Sequence, residues 1–277
     1  MKIYYSNIAS IDSNKVDLQF PKVGVLISYY GLKELKTPSF TNSLFLDSGA
    51  FSAWNKNISI DVKEYIDFIF KNKHKIDIYA SLDDIESYRN SLNNYNIMEK
   101  AGLSPLPCFH IGEPLWILNK YLLKTNYIAL GGIAKRNTND RVSWLDKIFS
   151  EYKNVQFHGF GIQNRKILSR YPWHTVDASS AHVMARFGGI CTPWGDYKIN
   201  MKVHYKDLRW VSDKAIANIK SWLKTIYPRD EHLFDKASLG DVDGTTTRVF
   251  INILFYENLA RQQNDFSFDT KMKGFGM

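Results

Sequence analysis

Cysteine is nearly absent from this 277-residue chain, where Cys108 and Cys191 are the only two. Two thiols so far apart exclude a disulfide framework and cannot by themselves build a cysteine-rich zinc site, so both are expected as small buried residues. No apolar run is long enough to span a bilayer, and Met1–Asn7 lacks the apolar core of a signal peptide. A cytoplasmic protein is therefore expected. No Gly-x-Gly-x-x-Gly turn follows the first strand, which removes the usual dinucleotide site, and neither a short-period repeat nor a low-complexity linker is present. Positive charge, by contrast, is in excess. Lys and Arg number 36 against 28 Asp and Glu, a net charge of +8 with a pI near 9.2, which favours an anionic partner and above all nucleic acid. Hydrophobic content of 44% and charged content of 23% suit a folded globular chain with one large core.

Short apolar strands recur along the chain with helical segments between them. Strands are predicted at 23–28, 44–47, 76–81, 106–110, 127–130, 155–158 and 174–177, with a weaker eighth at 188–191. Helical apolar spacing marks 62–70 and 142–149. Seven or eight β/α units predict an α/β fold of the TIM (β/α)8 barrel type over residues 1–211. A helical carboxy-terminal extension packed on the barrel is expected over 212–277. There Ser212-Asp213 starts one helix that Pro228 stops, and a second begins after Thr245-Thr246-Thr247. Asp241-Val242-Asp243-Gly244 reads as a turn, since it lacks the remaining ligands of a calcium loop, and the polar tail from Gln262 reads as mobile.

Two strands end in an acid. Leu44-Phe45-Leu46 carries Asp47 to a strand tip followed by Ser48-Gly49-Ala50-Phe51, and His174-Thr175-Val176 does the same for Asp177 ahead of Ala178-Ser179-Ser180. In an α/β barrel the carboxyl ends of strands converge on one pocket, so two such carboxylates can supply a nucleophile and a general acid/base, the pair needed to cleave a glycosidic bond. Each acid alone also fits a turn or a helix cap. The other strand ends carry Ser81-Leu82-Asp83-Asp84, His110-Ile111-Gly112-Glu113, Leu130-Gly131-Gly132 and His158-Gly159-Phe160-Gly161.

The most specific basic feature is Tyr197 to Lys206, in which apolar and polar residues alternate strictly. On a strand this period places Lys198, Lys202, His204 and Lys206 on one face, able to follow a phosphate backbone or to guard an exposed sheet edge.

The order of the strand-end segments, from Leu44 to Ser180, resembles the tRNA-guanine transglycosylase superfamily, and most closely its phage branch of 7-deazaguanine DNA transglycosylases. The resemblance implies exchange of guanine in DNA for a free 7-deazaguanine of the 7-cyano or 7-aminomethyl type, with tRNA as the alternative polymer. By position, Asp177 matches the nucleophile that attacks C1′, Asp47 the general acid/base, and Asp83 the acid that reads the guanine edge. Gly131 and Gly132 match backbone contacts to the base, and Phe51 and His158 the groups that stack on its two faces. His110 to Glu113 occupy the segment facing the 7-substituent, Glu113 either contacting it or capping the next helix. Ala50, Asp84 and His158 depart from the family's glycine, glutamate and methionine. The family's Cys-x-Cys-x-x-Cys zinc subdomain is missing, so neither a metal nor any other cofactor is expected. A glycoside hydrolase using the same two acids, and a nucleic-acid-binding barrel without chemistry, are the competing classes.

Overall fold

Three buried apolar strands open the chain, and from the third onward strands alternate with helices as far as Ala178. The computed structural model describes the chain except residues 10, 12–16, 33, 134–135, 163, 201–208 and 274–277, and of 209–210 and 263–273 it describes the backbone alone. The described chain divides into two compact units.

The first unit comprises Met1–Ser6, Val23–Thr37 and Thr41–Ala178. Its strands are β1 (Lys2–Ser6), β2 (Val23–Ser28), β3 (Thr41–Asp47), β4 (Ile78–Tyr79), β5 (Cys108–His110), β6 (Tyr127–Gly131), β7 (Gln156–Gly159) and β8 (Thr175–Ala178). They form one curled parallel sheet in the order β4-β3-β2-β1-β8-β7-β6-β5. That is the cyclic order of a TIM-like fold, opened between β4 and β5, where no ladder forms. A single parallel bridge, Ala80 to Leu106, spans the opening, with Leu106 N–H donating to Tyr79 O and Ser81 N–H to Leu106 O at 2.8 Å each. The sheet interior is filled by Tyr4, Leu26, Phe45, Ala80, Leu106, Cys108 and Ala129, which pack as one cluster.

Five helices follow strands of this unit: α1 (Ala50–Trp54) and α2 (Val62–Asn72) after β3, α3 (Tyr88–Lys100), α4 (Leu115–Leu122) and α5 (Thr138–Glu151), with α6 (Arg165–Arg170) as a sixth, short one. Their starts are written locally. Asp61, Ser87, Asn137 and Asn164 each accept a backbone N–H of the first turn of α2, α3, α5 and α6. On α2, Tyr65, Ile66 and Ile69 form the buried stripe that the 62–70 periodicity predicts.

The second unit comprises Asn7–Lys22, Pro38–Phe40 and Ser179–Met277. It holds α7 (Ser180–Arg186), β9 (Gly189–Thr192), β10 (Gly195–Lys198), β11 (Arg209–Trp210), α8 (Asp213–Ile226), α9 (Leu233–Ala237) and the long α10 (Val242–Lys273). Arg248 of α10 is wholly buried, its guanidinium donating to Ala185 O, Ala237 O, Leu239 O and Thr245 Oγ1. One side chain thus satisfies the closing carbonyls around α7 and α9. Arg248→Ala is expected to lower stability by about 3 kcal/mol or more, because several buried carbonyls lose their donor together, measured as a fall in the thermal midpoint.

Two expectations are corrected, the eighth strand and the Asp241 turn. The eighth strand of the parallel sheet is β1, not 188–191: the latter, as β9, pairs antiparallel with β10 in a separate three-stranded sheet. The first compact unit ends at Ala178, while β9 and β10 lie in the other sheet and α7 packs with α10. Asp241 opens α10 instead of making an isolated turn, accepting the N–H of Gly244 at 2.7 Å. The backbone of α10 runs on past Gln262 to Lys273. Ser212 does cap α8, which ends before Pro228 as expected. Among the described residues no helix is long and apolar enough to cross a membrane.

Candidate active site

Asp47 closes β3, and the turn after it needs glycine. Gly49 has φ of +76°, and a Cβ there would lie 2.4 Å from Ser28 Oγ, so Asp-Ser-Gly is a constrained turn here. Gly49 N–H donates to Asp47 Oδ2 at 3.1 Å. Asp177 lies on β8, separated from β3 by two strands, β2 and β1, and Gly161 in the loop after β7 donates its N–H to Asp177 Oδ1. Asp83 follows β4, its Oδ1 3.4 Å from Ser81 Oγ. The sheet therefore brings the three acids to one end. Burial, and then the charges of Asp83 and Asp177, raise the pKa of Asp47 to about 7, against hydrogen bonds from Gly49 and Ser48 that lower it. A carboxyl poised near neutrality can both give and take a proton at working pH.

Beneath Asp177 lies a polar chain. Tyr127 Oη is 2.6 Å from Thr175 Oγ1, which is 2.7 Å from His158 Nδ1, while His158 Nε2 faces Asp177 Oδ1 at 3.7 Å, beyond hydrogen-bond reach. Burial lowers the pKa of His158, Asp177 opposing, so the imidazole is neutral at neutral pH. Its ring is fully buried against Phe45 and Phe160, with centroids at 4.8 and 4.5 Å. His158 is thus corrected from a base-stacking residue to a support behind Asp177, because the strand alternation turns it into the sheet interior. Thr175→Val would leave His158 Nδ1 and Tyr127 Oη without their shared partner. A loss of about 1–3 kcal/mol in stability is expected by chemical denaturation.

Phe51, on the first turn of α1, is 48% exposed and tilted against Trp54, which leaves part of its ring open to a planar ligand. Beside it a pocket of about 400 Å³ is lined by Ala50, Ala53, Trp54, Leu82, Asp83 and Glu86, among others. Asp84 is occupied structurally: Oδ1 accepts from Glu86 N–H and Ser87 N–H, and Oδ2 from Asn90. Glu113 neither caps α4, whose N-cap is Pro114, nor points away. Its Oε1 is 3.0 Å from His110 Nδ1 and its Oε2 accepts the His110 N–H at 3.1 Å. Gly131 is glycine for a packing reason, since a Cβ would sit 2.7 Å from both Cys108 Sγ and His110 Cδ2. Gly132 has φ of +72°.

No protein-family model matches this chain, and no curated protein does. The chemistry of the site has to be read from its own groups.

Of the residues singled out in the sequence, Asp47, Asp83 and Asp177 share one electrostatic neighbourhood, and Phe51, His110, Gly131 and Gly132 belong to the same unit. Lys198 does not lie on an open basic face: it is buried on β10, which is the central strand between β9 and β11 rather than an edge. The chain leaves the ladder after Lys198, Ile199 and Asn200 both donating their N–H to Gly188 O. Lys202, His204 and Lys206 lie outside the described residues. Two contributors escaped the sequence reading, Gly161 as a donor to Asp177 and Phe160 as the ring at the end of β7. The Gly-Phe-Gly run at 159–161 was their only signal.

Proposed function

We propose that the chain is a pentosyltransferase that exchanges guanine in DNA for a free 7-deazaguanine. The observation that carries the reading is the gathering of Asp47, Asp83 and Asp177 at one end of the parallel sheet, with Asp47 raised to about 7 by burial and by the other two. In this reading an Asp177 carboxylate oxygen bonds to C1′ as the bond to guanine breaks, and protonated Asp47 gives its proton to the departing ring nitrogen, which leaves Asp47 as a carboxylate. Asp47 then removes the ring proton of the incoming deazaguanine, whose nitrogen attacks C1′ and frees Asp177. Two displacements conserve the anomeric configuration. Asp83, bordering the 400 Å³ pocket, accepts the hydrogens of the guanine edge, and Phe51 covers one face of the base. Phe160, partly exposed at the end of β7, replaces His158 as the ring on the other side.

The +8 charge supports a polyanionic partner, and Lys202 and Lys206 remain the basic residues proposed to meet its phosphates. The reading takes the curled sheet as a (β/α)8 barrel without a zinc subdomain and places the enzyme in the cytoplasm, that of the host if phage-encoded. The test is incubation with guanine-containing DNA, or with tRNA, plus 7-cyano- or 7-aminomethyl-7-deazaguanine, followed by nucleoside mass spectrometry. New deazaguanine nucleoside in DNA is the expected result. Incorporation only into tRNA would move the activity to the other polymer, abasic product without a new base would make the protein a hydrolase, and no change in either polymer would reject the chemistry.

A further inference from the structure

Cys108 and His110 are two residues apart on β5, so their side chains leave the same face of the sheet, and Asp83 follows the strand that the Ala80–Leu106 bridge joins to this one. The three side chains meet. His110 Nε2 is 3.4 Å from Asp83 Oδ2 and 3.5 Å from Cys108 Sγ, and all three atoms lie within 4.8 Å of one another. We propose that Asp83, Cys108 and His110 form a binding site for a borderline-soft divalent metal, with Zn²⁺ the best match, leaving one coordination position open.

Three observations support the assignment. A tetrahedral zinc with Zn–S of about 2.3 Å and Zn–N and Zn–O of about 2.0–2.1 Å sets an S···N edge of about 3.6 Å and an N···O edge of about 3.3–3.4 Å. The two spacings from His110 Nε2 match these edges, the third pair, Cys108 Sγ and the Asp83 oxygen, lies within 4.8 Å, and 3.4 Å is long for a charge-assisted hydrogen bond between imidazole and carboxylate. The second is Glu113, whose Oε1 lies 3.0 Å from His110 Nδ1. A carboxylate there holds a proton on Nδ1, so that Nε2, once its own proton passes to solvent on metal binding, would face Asp83 and Cys108 as a ligand, the support that metal-binding histidines normally have. The third is Gly131, where any Cβ would come within 2.9 Å of His110 Nε2 and 2.7 Å of Cys108 Sγ, so this position keeps the volume at the cluster clear. Thiolate, imidazole and carboxylate together suit zinc better than a hard cation such as magnesium, which prefers oxygen alone. Binding would release the thiol proton to solvent as the metal–sulfur bond forms. The inference does not rest on the transglycosylase reading, because metal binding is measured directly; if both hold, Asp83 Oδ2 goes to the metal and Oδ1 is left for the guanine edge.

The test uses the full chain, stripped with a chelator and titrated with Co²⁺ as a spectroscopic substitute, then with Zn²⁺ in competition with a chromophoric chelator. One equivalent is expected, with the intense visible bands of tetrahedral Co²⁺ and a thiolate-to-cobalt charge-transfer band in the near ultraviolet. Cys108→Ser should abolish the charge-transfer band and weaken Zn²⁺ binding about 100-fold or more, and Glu113→Gln should keep the band while weakening binding roughly 10–100-fold. Circular dichroism of each variant separates lost ligation from lost fold, and Glu113→Gln serves alone if the serine variant does not fold. No stoichiometric binding, an octahedral spectrum without the sulfur band, or a Zn²⁺ affinity unchanged by both substitutions would overturn the site.

Discussion

Asp177→Asn is expected to lose base exchange by a factor on the order of 10⁴ or more while the protein keeps its fold. An amide oxygen is a far poorer nucleophile than a carboxylate, so no ester to C1′ forms, and no protein–DNA adduct should survive denaturing electrophoresis. The fold should persist because the amide oxygen of the variant can still accept the Gly161 N–H that now binds Asp177 Oδ1. His158, neutral and 3.7 Å away, does not depend on that charge for its own hydrogen bond, which it makes to Thr175. Turnover within about tenfold of wild type would remove Asp177 from the nucleophile role.

Asp47→Asn is expected to separate the two halves of the reaction and also to stabilise the protein. The adduct with Asp177 should still form, since the amide can hydrogen-bond the departing ring, but its resolution by deazaguanine should slow about 10²–10⁴-fold because the amide cannot take a proton. Adduct therefore accumulates in this variant and not in Asp177→Asn. The wild-type rate of that half-reaction should fall about tenfold per pH unit below about 7, the value to which burial and the neighbouring acids raise Asp47. The same shift has a stability consequence of definite sign. Folded Asp47 holds its proton more tightly than the unfolded chain, whose value is 3.8, so its ionisation costs stability increasingly from about pH 4 up to about pH 7, and by a constant amount above that. Asp47→Asn removes that cost, with an upper bound of about 4 kcal/mol above pH 7 that water reaching the carboxylate reduces, and with no gain near pH 4. Denaturant melts of both proteins at about pH 4.5 and pH 8 measure it. Equal midpoints at the higher pH would show that the charge of Asp47 is well solvated.

The start of α8 at Ser212, the stripe on α2 and seven strand positions were legible in the sequence because each depends on neighbours within a few residues: a capping Ser, a period of 3.6, or a short apolar run. Asp47 and Asp177 were legible for the same reason, each an acid at the end of such a run. β1 was not, since Lys2–Ser6 reads as an ordinary amino terminus until β2 and β8 pair with it on either side. Nor was the fate of the basic strand. Alternation separates two faces only along a strand, and β10 ends at Lys198, with Lys198, Ile199 and Asn200 all buried where the chain returns to Gly188. His158 likewise stands at a strand end in sequence and inside the sheet in space. Local sequence thus determined the elements and the acids at their tips. Only the tertiary structure decided that Asp83 and Asp177 raise the pKa of Asp47, that Glu113 orients His110 towards Cys108 and Asp83, and that Arg248 closes the ends of α7 and α9. Those relations join groups on separate elements, and they exist only once the sheet has curled and the helices have packed.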